Sequence, residues 1–191
     1  ENSKANYQMG MVLSGIGKYD KAIVFFQKAL NKNQNDFRIY YSMALAYMSK
    51  KDIDKSKIYY DKVLEINPTH SSALNNLGNI FMAQDEYFKA EKYFLRAVNA
   101  NKNNVNAYYN LGVICSILKK SQCAVENFSK VLKIDPKDAI SHFLIGKEFI
   151  SMGERNKGMD HIKKAITINP EKNEFIKFYE TLEAQDQVIQ K

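Results

Sequence analysis

Few side chains in this 191-residue chain have the type and spacing to do chemistry. Cys115 and Cys123 are too few for a disulfide framework, so both are expected to be reduced, partly buried thiols with no catalytic part. His70, His142 and His161 show no metal-ligand spacing. Ser14 to Gly17 reads SGIG, but it lacks the strand and helix context of a phosphate loop and more simply ends a helix. The triplet Asn127-Phe128-Ser129 matches a glycosylation acceptor, yet it falls inside a helical stretch beside a core phenylalanine and reads as accidental. No catalytic constellation, metal site or cofactor site follows, so the chain is expected not to be an enzyme. What remains is a set of amides: Asn75, Asn76 and Asn79 in one segment, Asn106 and Asn110 in another. A carboxamide offers donor and acceptor together, which suits the backbone of an extended peptide.

The elements that carry these amides are helices. In ALNNLGNIF, Ala73 to Phe81, the apolar residues Leu74, Leu77 and Phe81 recur at helical spacing. Asparagine competes for backbone hydrogen bonds, and glycine costs about 1 kcal/mol against alanine in a helix interior, so Gly78 and its neighbours need reasons beyond local propensity. Eight Gly and three Pro are too few for the turns of an all-β protein, and 45% hydrophobic content suffices for a core. The fold class expected is all-α. The net charge of +7 is spread along the chain, which reads as a solvated surface and argues against nucleic acid as a partner. No apolar run reaches 18 residues and no signal peptide is visible, so no membrane insertion is expected. The chain starts at Glu1, which reads as a processed chain or an excised domain and leaves localisation open.

A period organises the whole sequence. Small residues recur at Gly10, Ala44, Gly78, Gly112 and Gly146, always 34 apart. Met9, Met43, Leu77, Leu111 and Ile145 keep the same interval. So do Ala22, Ser56, Ala90, Ala124 and Gly158, and the bulky set Phe26, Tyr60, Phe94, Phe128 and Ile162. Each period holds two helical stretches divided by a short polar turn, such as Gln84-Asp85-Glu86, and Asp36, Asn104 and Asp138 precede helices as N-caps. A helical pair this small cannot bury its apolar face alone, so neighbouring pairs must stack. Gly78 is then expected where two helices approach closely.

The run YYNLG, Tyr108 to Gly112, with Ala124, Phe128 and Pro136, resembles the tetratricopeptide repeat family. The resemblance implies a right-handed α-solenoid of five helix-turn-helix repeats, at residues 3–36, 37–70, 71–104, 105–138 and 139–172. A cap helix follows at 173–191, where Phe175, Tyr179, Leu182 and Ile189 form an apolar stripe. The departures are Cys115 in place of an aromatic, Gln34 and Lys102 in place of proline, and Gly158 in place of alanine, which is expected to loosen the second helix of the last repeat. His142 occupies a position held elsewhere by an aromatic and is expected to pack.

In this family the first helix of each repeat lines a concave groove. The residues placed there are Lys4, Tyr7, Gln8 and Met11; Arg38, Tyr41, Ser42, Leu45 and Met48; Asn75, Asn76, Asn79 and Met82; Asn106, Tyr109, Asn110 and Val113; and Ile140, Phe143, Leu144, Lys147 and Ile150. Asn76 and Asn110 are 34 apart, and NNLGN resembles the asparagine-ladder repeats of protein O-GlcNAc transferase, which grip peptide backbones. Solvation, or bracing between repeats, is the alternative for these two. The family's carboxylate clamp is not met, because its basic positions read Tyr7, Met11, Ser42, Ser72 and Asn76. The resemblance implies a protein-interaction module with a protein or peptide partner. Its rivals are a self-assembling scaffold, a secretion-type chaperone and the recognition domain of a larger enzyme.

Overall fold

The computed structural model describes residues 2–31 and 34–189, with side chains through residue 185. Among the described residues there are eleven α-helices and no strand. They are α1 (Ser3–Gly15), α2 (Tyr19–Leu30), α3 (Phe37–Ser49), α4 (Ile53–Ile66), α5 (Ser71–Ala83), α6 (Tyr87–Ala100), α7 (Val105–Ile117), α8 (Ser121–Ile134), α9 (Ala139–Ser151), α10 (Arg155–Ile168) and α11 (Asn173–Ile189). Ten of them pair in chain order as α-hairpins, and the chain is an all-α solenoid of such hairpins ended by α11. Packing divides it into two compact units, Glu1–Lys102 with α1 to α6 and Asn103–Lys191 with α7 to α11.

One backbone device makes every hairpin. After α1, Gly17 N–H bonds the Ser14 carbonyl and Lys18 N–H bonds the Leu13 carbonyl. The same two bonds recur 34 residues on, from Lys51 to Met48 and from Asp52 to Tyr47, and again after α5, α7 and α9. They satisfy carbonyls that the last helical turn would otherwise leave unpaired. The geometry requires a left-handed residue, and Gly17, Lys51, Asp85, Lys119 and Gly153 supply it with φ of 75°, 62°, 59°, 56° and 80°. The helix starts are fixed by side chains. Asp36, Asn104 and Asp138 accept from Arg38, Ala107 and Ile140 N–H at 3.0, 3.0 and 3.2 Å, as their positions predict. His70 caps α5 in the same way, its Nδ1 accepting from Ala73 N–H at 3.1 Å.

Packing explains the glycines. A Cβ on Gly78 would lie 2.5 Å from Phe94 Cε1, so the ring sits where a side chain would be, and its close contact with α5 offsets the poor propensity of glycine. Gly158 behaves likewise, contrary to the expectation of a looser helix. A Cβ there would meet Ile150 Cδ1 at 2.6 Å and the Gly146 carbonyl oxygen at 2.8 Å, so the substitution tightens the α9–α10 hairpin. Beyond it, Phe175 and Leu182 of α11 are buried against Phe143, Ile162 and Ala165, with Tyr179 partly buried beside them. Arg155 donates through Nη2 to the Leu182 carbonyl. The Ile189 side chain lies outside the described residues.

The cysteines correct the sequence reading: Cys115 and Cys123 form a disulfide, with Cα atoms 5.7 Å apart. The reason is the turn. Cys115 gives the carbonyl that Lys120 N–H bonds at 2.8 Å, and Cys123 stands in the first turn of α8, so the shared joint brings the two side chains together.

Candidate functional site

The face named by the sequence is carried by the first helix of each hairpin. In the first unit its N-terminal part is a cleft of about 600 Å³ between α1 and α3, lined by Asn2, Ser3, Lys4, Tyr7, Gln8, Asp36, Arg38 and Ile39. Arg38 is anchored there by Asp36, with Nη2 at 2.6 Å from Oδ2 and Nε at 2.8 Å from Oδ1. That bidentate contact is the chief reason the Asp36 carboxyl is held below its usual range. The guanidinium side chain nevertheless stays 67% exposed. Deeper in, Tyr7 Oη lies 3.3 Å from Ser42 Oγ, which in turn lies 2.9 Å from the Arg38 carbonyl and 3.5 Å from Met11 Sδ. Tyr7, Met11, Arg38 and Ser42 thus meet, and Met11 remains 47% exposed.

Further along the same unit, Tyr41, Tyr60 and Asn76 form a polar knot. Asn76 Nδ2 donates to Tyr60 Oη at 2.9 Å and to Tyr41 Oη at 3.4 Å, while the two tyrosine rings stand 5.9 Å apart. Tyr60 is fully buried, and burial pushes its hydroxyl pKa up. The knot repeats a theme: Tyr7 with Ser42 and Tyr41 with Asn76 are both pairs 35 residues apart, one hydroxyl bridging each step between successive first helices. Both amide hydrogens of Asn76 have tyrosine oxygens within reach, so its carbonyl oxygen is the polar atom these two bonds do not use. Asn75 is 7% exposed, Asn79 and Met82 are half-buried, and Leu45 is 38% exposed; Met48 is half-buried.

In the second unit, Asn106 is exposed at the start of α7, while Tyr109, Asn110 and Val113 are half-buried. Tyr109 packs edge-on against Phe128 at 5.8 Å. Phe143 is 4% exposed and stacks on Phe175 at 4.5 Å, so it belongs to the core formed with α11 and not to an open face. Lys147 is exposed and its Nζ lies 5.7 Å from the Phe143 ring centroid and 5.8 Å from that of Phe178. Ile140 is 47% exposed, and Leu144 and Ile150 are half-buried.

The sequence reading missed a histidine pair. His142 Nδ1 and His161 Nδ1 are 3.2 Å apart, and the His161 ring also meets Phe149 at 5.6 Å. One ring must donate to the other, so protonation of both is opposed. Burial, then His142 and Lys164, lower the His161 pKa to about 4, and burial lowers that of His142. Their sequence separation of 19 fits no helical spacing, and only knowledge of the α9–α10 pairing could have joined them. No group of three metal-ligating side chains occurs among the described residues. Nor is any described helix long and apolar enough to cross a membrane.

Models described as tetratricopeptide repeat match residues 37–70, 105–138 and 139–172, and another so described matches 59–92. One described as TPR repeat matches 16–51. No curated protein matches the chain. Among solved structures, MamA is 23% identical over 90% of this chain and 94% of its own, with a TM-score of 0.78. YrrB, described as a TPR protein with an unusual peptide-binding site, is 22% identical over 92% and 90%, also at 0.78. PilF of Pseudomonas aeruginosa is 19% identical over 96% and 86%, again at 0.78. At these identities the likeness is one of fold.

Proposed function

The chain belongs to the tetratricopeptide repeat family, and from that premise we propose that it is a non-catalytic protein-interaction module that holds a segment of a partner polypeptide on its first-helix face. The observation that carries this reading is the cleft between α1 and α3. It sets the half-buried Tyr7 beside an exposed guanidinium at Arg38 already oriented by Asp36, while Ser42 links Tyr7 to the neighbouring Met11. An anchored Arg loses little freedom on binding, so a carboxylate or backbone carbonyl of the partner meets a prepared donor. The described pocket at YrrB supports peptide binding as a use of this fold.

The finer part of the reading concerns the asparagines. Asn76 in the first unit and Asn110 in the second contribute one amide each to partner backbone recognition, Asn76 through its carbonyl oxygen. Its amide hydrogens brace Tyr41 and Tyr60. Asn76 therefore has both roles weighed from the sequence, bracing by its nitrogen and binding by its oxygen.

A displayed library of random 12-residue peptides, selected on the full chain, tests this. The expected outcome is a family of peptides enriched in acidic residues, whose binding falls by at least about tenfold in Arg38→Ala, the size of one lost charged hydrogen bond, and also falls in Tyr7→Ala, which removes the ring from the cleft. Selected peptides that bind both variants as well as the parent would refute the cleft. In Asn76→Ala, both melting temperature and affinity should fall; a lower melting temperature with unchanged affinity removes the asparagine from the binding role.

A further inference from the structure

The histidine pair stands where other hairpins place packing residues. Shifted back by 34, 68 and 102 residues, His142 and His161 become Tyr108 and Asn127, Leu74 and Tyr93, then Tyr40 and Tyr59. Tyr40 and Tyr59 stack at 6.3 Å, so a hairpin closes at this register without any imidazole. The last hairpin puts one on each helix, and packing does not require it.

The two Nδ1 atoms are 3.2 Å apart, carried by α9 and α10, and both rings are half-buried. That is a spacing of two donors on one metal ion. Two imidazole nitrogens each about 2.0–2.1 Å from a tetrahedral Zn2+ stand about 3.3–3.4 Å from one another, against about 2.8–3.0 Å at adjacent corners of a square. The observed separation lies nearer the first. The His142 ring also hydrogen-bonds the Pro136 carbonyl. A neutral ring has one N–H, so spending it there leaves the His142 Nδ1 as a lone pair, the arrangement in which a backbone carbonyl orients a metal-binding imidazole. Burial lowers the pKa of both rings, so at neutral pH neither carries the extra proton that would compete with a metal. Lys164 opposes a cation here, while Asp138 beside His142 and Asp160 beside His161 favour one.

We propose that His142 and His161 bind one Zn2+ through their Nδ1 atoms, with water in the two remaining tetrahedral positions. No third metal-ligating side chain joins the pair among the described residues, so the site is open, unlike the closed set of a structural zinc. On binding, the proton that His161 donates from Nδ1 moves to its Nε2, both lone pairs turn to the metal and no net proton is released. Two coordinate bonds then replace one hydrogen bond between α9 and α10. The site is separate from the cleft between α1 and α3 and does not depend on what that cleft binds.

Zinc chloride titrated into the full chain tests this, followed in long-range proton–nitrogen spectra of the imidazoles. Cys115 and Cys123 are joined, so no thiol competes for the metal. His70, whose Nδ1 caps α5, is the internal reference. The expected result is a saturable shift of the His142 and His161 Nδ1 resonances together, complete at one zinc per chain, with His70 unmoved. His142→Tyr combined with His161→Tyr rebuilds the pair of the second hairpin, so that variant should keep the parent's circular dichroism and bind zinc at least about tenfold more weakly. Either single change should weaken binding as much, since each removes one of the two donors. Four results overturn the proposal: no saturation by about 1 mM zinc, a shift of one ring alone, equal shifts at all three histidines, which would be adventitious coordination, or undiminished zinc binding in the double variant.

Discussion

In Glu1–Lys102 the second and third hairpins are bridged near the turn by a lysine over an aromatic ring, Lys55 over Tyr47 and Lys89 over Phe81, each 5.4 Å from the centroid. In Asn103–Lys191 the pair in the same register is the Cys115–Cys123 disulfide, while the last hairpin returns to the common form, Lys157 over Phe149 at 5.6 Å. The joint thus accepts a weak cation–π contact or a covalent bond without moving, because backbone hydrogen bonds already define it. The difference is in what can disturb it. Tyrosine hydroxyls and amides knit the first unit, with His70 capping α5, and none of these bonds can be reduced. A disulfide, a histidine pair and the docked helix α11 complete the second, and each can be undone separately.

The largest disturbance should come from α11. Phe175 is 2% exposed and stacks on Phe143, so Phe175→Ala is expected to cost about 3–5 kcal/mol. Hydrogen exchange should quicken in α9 and α10 and leave α1 to α6 unchanged; equal quickening in both units would mean that they do not respond independently. Cutting after Lys172 should act in the same direction and add aggregation, since it uncovers Ile162 and Ala165.

Reduction should rank second. Closing a loop of eight residues restricts the unfolded chain by about 2–3 kcal/mol in the chain-entropy view. Dithiothreitol should therefore lower the denaturant midpoint of α7 and α8, and the double change Cys115→Phe with Cys123→Lys should recover about 0.5–1 kcal/mol by rebuilding the pair used elsewhere. An unchanged midpoint on reduction would make the bond irrelevant to stability.

Acid should have the smallest effect. His161 is held neutral in the folded state with a pKa near 4, whereas the unfolded chain takes up its proton near 6.5. The unfolded state binds more protons between these values, so stability is full above about pH 6.5 and falls as pH drops toward 4. Screening at this half-exposed site limits the loss to on the order of 1 kcal/mol. His161→Phe should flatten the melting temperature of the second unit over that range; a persisting slope would move the origin elsewhere.

These contrasts also mark what a sequence can carry. The interval of 34 fixed helix pairing, and Asp36, Asn104 and Asp138 were legible as caps because each property sits within a few residues of its partner. Gly78 was legible because its register partners are small. The disulfide was not: two cysteines eight apart say nothing until the turn brings the end of α7 beside the start of α8. Gly158 misled for a related reason, since its meaning depends on Ile150 across the hairpin. Within the site, Tyr7, Met11 and Arg38 were named and do meet, but the engagement of Asn76 by Tyr60, 16 residues earlier, is a tertiary fact. Phe143 was drawn into the core by α11, which no property of its own repeat reveals.

The five left-handed joints have a practical consequence. Gly17, Lys51, Asp85, Lys119 and Gly153 are all solvent-exposed, all share one backbone conformation and recur at a fixed interval in the chain. They form a set of equivalent attachment points, one per hairpin. At Lys51 and Lys119 an amine is already present, so once the other lysines are replaced an acylating dye or biotin can be hung there with the joint residue itself unchanged. At Gly17 and Gly153 any handle would need a new side chain, at about 1 kcal/mol for the strained backbone. Pairs of dyes on Gly17 and Lys51, or on Lys119 and Gly153, would then act as spectroscopic rulers within each unit.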